Sequence, residues 1–304
     1  MSRREKILQS SLLTCWGILA ALPSVAAEPP KAQLDTVTVE AAKNRKALER
    51  QVSSFVSGIA VAPYQESLAD WQPSVPPCPL VAGLPREDGE YMLARISKIA
   101  QSAGAPLADE HCKPNLFVIV TSQVDALFKA WGRRDPNMFG EMKAGGTVVH
   151  KFLHSSTPVR AFYNASLYNS DGMPLGGGDT QGSGIANETA WNLRAEATRI
   201  QFNDVRNLAS VIVIIDGPRA KGITFGQLAA YVAMIGLAEI RIDARAGDAP
   251  SSILQLFAGS GKAAPPGLSA WDEAFLRAIY HIDHLDQHQL ARVKTAMVGE
   301  IAPH

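Results

Sequence analysis

Few residues of this chain can do chemistry by type and spacing. His281, His284 and His288 are spaced i, i+3 and i, i+4, which on one helix sets three imidazoles near a single face. With Asp283 and Asp286 beside them they form a weak candidate transition-metal site, against the plainer role of a polar, solvated helix face. His150 and His154 bracket Lys151-Phe152-Leu153, a stretch that reads as a strand. Strand residues rise ~3.3 Å each, so the two rings would share a face about 13 Å apart, too far for one ion. A serine nucleophile needs Gly-x-Ser-x-Gly on a strand-to-helix turn. Gly182-Ser183-Gly184 and Gly259-Ser260-Gly261 are too short and lie in loops. Gly176-Gly177-Gly178 lacks the Lys-Ser/Thr of a phosphate loop. The carboxylates of Asp204 and Asp216 can be paired only by the fold. The sequence therefore names no catalytic residue and implies no cofactor.

The N-terminus bounds the compartment. Arg3, Arg4 and Lys6 precede an apolar run from Leu12 to Leu22, and Val25 and Ala27 fit an A-x-A cleavage pattern. Residues 1–27 read as a signal peptide cut after Ala27, and the expected destination is the periplasm or the exterior of a Gram-negative envelope. The apolar run is short of the ~20 residues of a membrane span, and no later stretch reaches that length. Cys15 falls inside the signal. Cys78 and Cys112 remain, an even count that in an exported chain predicts a disulfide. A net charge of zero argues against a nucleic-acid partner, which calls for a basic patch.

The elements follow from periodicity and punctuation. Residues 28–86 read as an N-terminal extension and proline-rich linker, and 87–304 as the main domain. Within the extension, Leu34-Asp35-Thr36-Val37-Thr38-Val39-Glu40 alternates like a strand, and a short strand on a sheet edge is expected. This segment also resembles the energy-coupling box of TonB-dependent receptors, which would imply a partner, TonB, engaged through residues 34–41. Ala41 to Phe55 reads as a helix with Leu48, Val52 and Phe55 on one face, and Pro63 to Pro85 as a loop pinned by Trp71 and Cys78. Glu87 to Ala103 is a predicted helix burying Tyr91, Ile96, Ile99 and Ala100, with Gly104 as its stop. Strands are expected at 116–120, 148–153, 159–168, 198–202 and 209–215, and a helix at 124–131. A glycine-rich connector occupies 170–184. Toward the end come a short turn at Ile253–Phe257, a helix capped by Ser269 with Asp272 at its third position, and a helical tail carrying the three histidines.

The most apolar part of the mature chain is Ser210 to Ile215 followed by Ile223 to Glu239, a buried strand, a turn and a buried helix. Its end, Ala229-Ala230-Tyr231-Val232-Ala233-Met234-Ile235-Gly236-Leu237-Ala238-Glu239, resembles the zinc helix of the zincin proteases, specifically the metzincins, with its ligands gone. With Gly236 as the helix-ending glycine, the zinc histidines fall on Ala229 and Ala233, the general base on Ala230 and the third ligand on Glu239. Ser252-Ile253-Leu254 and the helix from Gly267 to Tyr280 resemble the downstream zincin segments. The resemblance covers roughly 205–282. It implies an α+β fold, a single mixed sheet with helices packed on it around a central buried helix. Alanine has no lone pair for a metal, so the implied function is non-catalytic, the binding of a protein, peptide or surface ligand. A hydrolase with a displaced site, at Glu239 or the three histidines, is the alternative.

Overall fold

The structure is a computed structural model. It describes residues 31–61, 67–134, 146–168, 205–247, 249–258, 263–284, 286 and 288–302. The signal peptide and its cleavage at Ala27, the connector at 170–184, the strand expected at 198–202, Asp204 and the Gly259-Ser260-Gly261 triplet lie outside them. The chain divides into two compact units, Met1–Ala42 and Lys43–His304. Of the first, a helical backbone is described from Lys31.

The second unit is a mixed α/β arrangement built on one mostly parallel sheet. Its elements are the latter part of α1 (Lys31–Ile59), β1 (Ala69–Asp70), β2 (Pro79–Ala82), α2 (Arg86–Ala103), β3 (Leu116–Thr121), α3 (Val124–Arg134), α4 (Gly146–His154), β4 (Val159–Tyr168), β5 (Val205–Asp216), α5 (Phe225–Leu237), α6 (Ala270–His281) and α7 (Gln289–Ile301). The centre of the sheet is β5, whose β-branched run Val211-Ile212-Val213-Ile214-Ile215 is buried on both faces, as a central strand requires. On one edge β5 pairs antiparallel with the whole of β4, from Val159↔Ile215 to Tyr168↔Val205, through an irregularity at Asn164/Ala165. The other edge is shared in parallel by β1, Ala69↔Arg206, and by β3, Leu116↔Val211 to Thr121↔Asp216. Beyond β3 lies β2, also parallel. Parallel neighbours need a crossover, and α2 supplies it between β2 and β3.

Alternation along the strands divides the core. Leu116, Val118, Val211, Val213 and Ile215 join the large cluster that also holds residues of α1, α2, α5, α6 and α7. Ile212 and Ile214 point the other way, into a smaller cluster with Val124 of α3, Val149 and Phe152 of α4, and Phe162 of β4.

Several expectations are corrected. The strand expected at 34–40 is helix, continuous with the good helix formers from Ala41 onward. Once a helix is nucleated each added residue gains a hydrogen bond, and Val or Thr costs only ~0.5 kcal/mol against that. Residues 34–41 are thus not in the extended form that pairing at a sheet edge calls for. The loop between Pro63 and Pro85 contains β1 and β2. Pro79 is accommodated as the first residue of β2, at the sheet edge. Tyr91 is 49% exposed, and Met92 takes the buried place in the stripe that continues through Ile96, Ile99, Ala100 and Ala103. Residues 148–153 form α4, because Val149, Phe152 and Leu153 recur at i, i+3 and i+4 and make one apolar face, while Val148 is 62% exposed.

Candidate functional site

Helix α5 is apolar on every side, and such a helix belongs in a core. Its start is fixed by the capping box of Thr224 and Gln227. Its end departs from the sequence expectation. Gly236 is a helical residue, not the stop, and the cap is Ala238 in extended conformation. A Cβ on Gly236 would meet Leu116 Cδ1 at 3.2 Å, so the glycine serves the close packing of α5 on β3.

The last helical carbonyls of α5, which a helix leaves without backbone partners, are taken by three side chains from three elements. Tyr163 of β4 donates its hydroxyl to the carbonyl of Ile235 at 2.8 Å. Trp71, just after β1, donates Nε1–H to that of Gly236 at 2.8 Å. Tyr280 of α6 donates to that of Leu237. Burial raises both tyrosine hydroxyls well above their ordinary value, so they remain protonated donors. Sequence reading finds Trp71 as a pin but gives these tyrosines no role; their only signal is a polar tip on an otherwise apolar element.

Ala229, Ala230 and Ala233 each have no exposed surface. The positions that the zincin resemblance assigns to ligands and base are closed by packing. Glu239, at the third-ligand position, is held by Arg206 of β5, with Nη1 2.7 Å from Oε2 and Nη2 3.1 Å from Oε1. Downstream, Asp272 is fully buried and accepts from Ser252 Oγ at 2.6 Å, from the Ile253 amide at 2.8 Å, and from both the amide and hydroxyl of Ser269 at 2.8 Å. The expected Ser269 cap is therefore present, and its Asp272 also ties the Ile253–Phe257 turn to α6. Burial pushes the Asp272 carboxyl up, against the hydrogen bonds that lower it.

The three C-terminal histidines do not share a helix face. His281 is the last residue of α6, and its ring lies over Gly104, with Cε1 2.7 Å from where a Cβ would be. His288 is the residue before α7, and His284 sits between the helices. The helix breaks there because polar side chains compete for the backbone. Asp286 Oδ1 accepts from the His288 amide at 2.8 Å, and Gln289 Nε2 donates to the His284 carbonyl at 2.6 Å.

In place of a triad the fold brings His284 to Asp70 of β1. His284 Nδ1 lies 3.4 Å from Asp70 Oδ2, an oxygen that is buried and makes no hydrogen bond. Asp70 Oδ1 accepts from Gln72 Nε2 at 2.7 Å. Asp70 is 1% exposed and the His284 side chain 26%. Burial pushes the carboxyl up to about 8, with Gln72 pulling the other way. Burial also lowers His284, against the raising effect of Asp283. At neutral pH the contact is thus between a protonated carboxyl and a neutral imidazole, not an ion pair. No sequence signal links residues 70 and 284; the pairing is made by the packing of β1 and the α6–α7 connection, where Gln289 also accepts from the Leu68 amide.

A shallow, open hollow of about 20 Å³, room for little more than a water molecule, lies beside α5. It is lined by Val159, Ala161 and Tyr163 of β4, Tyr231 and Ile235 of α5, and residues 240–242. Among the described residues no group of three or more His, Cys, Asp or Glu side chains is placed to hold a metal ion, and no helix is long and apolar enough to cross a membrane. The Cys78–Cys112 disulfide is formed and anchors the start of β2. Asn115 completes that anchor, with Oδ1 accepting from the Cys78 amide at 2.7 Å. Compared with known proteins, the chain matches no family model, no curated protein and no solved structure.

Proposed function

We propose that this is an exported envelope protein, periplasmic or secreted, that works by binding a protein or peptide on a zincin-like scaffold without the metal. The observation that carries the reading is the complete burial of Ala229, Ala230 and Ala233 on α5. A ligand helix must present donor atoms to a cleft, and this one presents methyl groups to a core. The arrangement around it suits the resemblance. An antiparallel strand, β4, borders β5, α5 follows, and α6 is tied back through Asp272. The disulfide accords with an oxidising compartment. The hollow between β4 and residues 240–242 is the surface we assign to the ligand. It is a shallow dent across which an extended segment could lie rather than a pocket that encloses a side chain, and the polar tips of its tyrosines are already engaged or buried.

The test has two arms on purified, tag-free mature protein. Metal analysis is expected to give no zinc that depends on α5. A library of extended peptides is expected to yield binders that Ala161→Trp, which fills the hollow, releases. Stoichiometric zinc lost on disturbing α5, or peptide binding indifferent to Ala161→Trp, would end the proposal.

A second reading is favoured by one observation, the Asp70–His284 contact. A buried carboxyl 3.4 Å from Nδ1 of a partly exposed imidazole has the placement of the orienting acid in triad hydrolases, and it takes up that role only above about pH 8, where Asp70 ionises. It predicts a peptidase or esterase activity that His284→Ala abolishes. An activity indifferent to that substitution removes this reading.

A further inference from the structure

We infer that His150 and His154 form a surface chelate for a divalent late transition metal ion, with Cu²⁺ the tightest. The inference is independent of the reading of α5. On a strand these histidines stand too far apart, but they lie on helix α4, where residues i and i+4 are neighbours one turn apart. Their ring centroids are 4.4 Å apart with planes at 45°. Both are exposed, so each can turn a nitrogen toward one ion by side-chain rotation between ordinary rotamers.

The backbone beneath them is held. Val149 and Phe152 are buried on the opposite flank of the helix. The Phe152 ring packs 5.3 Å from Phe128 and 5.4 Å from Phe162. Arg160 Nη1 donates to the carbonyls of both Phe152 and Leu153 at 2.9 Å and so closes the last turn. A pair of ligands on a fixed turn loses little freedom when it binds, the main advantage a two-ligand site can have. His154 is the last residue of α4, at the helix end where the backbone dipole favours a cation. The positive groups nearby are already engaged, Lys151 3.9 Å from Asp243 and Arg160 on the helix carbonyls. Imidazole donors select Cu²⁺, Ni²⁺ and Zn²⁺ over Mg²⁺ and Ca²⁺, and the Irving–Williams order puts Cu²⁺ first. Two protein ligands leave the remaining positions of the ion to water or a small anion.

The experiment is titration of tag-free mature protein with Cu²⁺, Ni²⁺ and Zn²⁺ by calorimetry, with electron paramagnetic resonance of the Cu²⁺ form. The chain is expected to take one Cu²⁺, with Ni²⁺ and Zn²⁺ weaker. His150→Ala or His154→Ala is expected to weaken Cu²⁺ binding by about tenfold or more, and the double variant to abolish it. His281→Ala with His288→Ala is expected to leave it unchanged. The spectrum should carry coupling to imidazole nitrogen that the double variant loses. Both side chains are exposed, so the variants fold, and circular dichroism verifies it. Absence of stoichiometric Cu²⁺ binding, binding that survives the double variant, or binding lost equally in the 281/288 control would each overturn the inference.

Discussion

The substitution Asp70→Asn isolates the buried carboxyl. Its ordinary value in an unfolded chain is near 3.8, and burial in the fold pushes it up to about 8. Between those values the folded protein holds a proton that the unfolded chain has released. Stability must therefore fall as pH rises through that window, by at most ~1.4 kcal/mol per pH unit, and level off above pH 8. From pH 5 to 7.5 the limit is ~3 kcal/mol. For a domain of this size that is roughly 6–12 °C in melting temperature. His284 works with the opposite sign, since its lowered value favours the fold as pH rises through 6.5, and Asp272 works with the same sign as Asp70. The informative quantity is thus the difference between wild type and variant. The introduced amide has the shape of the protonated acid, can still accept from Gln72, and does not titrate. The two proteins should melt alike only below about pH 3.8, the gap should already be ~1–2 kcal/mol at pH 5, and Asp70→Asn should be the more stable by a few kcal/mol at pH 8. Melting curves across that range are the assay. Parallel curves would refute the argument. A wild type that gains on the variant with rising pH would show that Asp70 and His284 form a true ion pair.

Three further outcomes follow from packing and bonding. Gly58→Ala would place a Cβ 2.3 Å from the backbone oxygen of Arg245, where α1 meets the 241–245 segment through the amide of Arg245 and the carbonyl of Gly58. A loss of ~1–3 kcal/mol is expected in chemical denaturation, and an unchanged midpoint would show that this contact is loose. Asp272→Asn replaces an oxygen that accepts hydrogen bonds with an NH₂ facing donors. The expected loss is ~2–4 kcal/mol, with faster amide exchange at Ile253 and Ser269 as the local readout. Reduction of Cys78–Cys112, or Cys78→Ser with Cys112→Ser, opens a loop of sequence separation 34 and should lower stability by ~3–4 kcal/mol, measured as a denaturation midpoint in reductant.

Where a segment's own periodicity matches its burial, the fold is legible in the sequence. Helix α2 with its glycine stop, the strands β3, β4 and β5, the Ser269 cap and the disulfide are all readable, because each depends on residues close in sequence or on an even cysteine count. Residues 148–153 read wrongly as a strand because the segment is short and begins with two β-branched valines, although its apolar spacing is that of a helix. That helical face, Val149, Phe152 and Leu153, packs with Phe128 and Phe162 from outside the segment. The strand β1 is invisible for a related reason. Two residues have no period, and Ala69–Asp70 is a strand only because β5 extends past β3 and leaves an edge to pair.

The same distinction explains the site. The zincin resemblance, read from local spacing alone, assigns Ala229, Ala230 and Ala233 to ligand positions by taking Gly236 as the helix end, whereas Gly236 is a helical residue. The means by which such a helix stays in place is not local. Its last carbonyls face Trp71, Tyr163 and Tyr280, spread over more than two hundred residues of chain. Glu239, one residue beyond the cap, is fixed by Arg206. A helix serving chemistry needs its end open toward a cleft, so that a returning segment can add a ligand. Here the carbonyls and the carboxylate at that end already have protein partners, and the hollow along β4 lies to one side of the helix. On the proposed reading a ligand would lie against β4 and residues 240–242, with the three buried alanines as packed support behind it rather than as part of the contact surface.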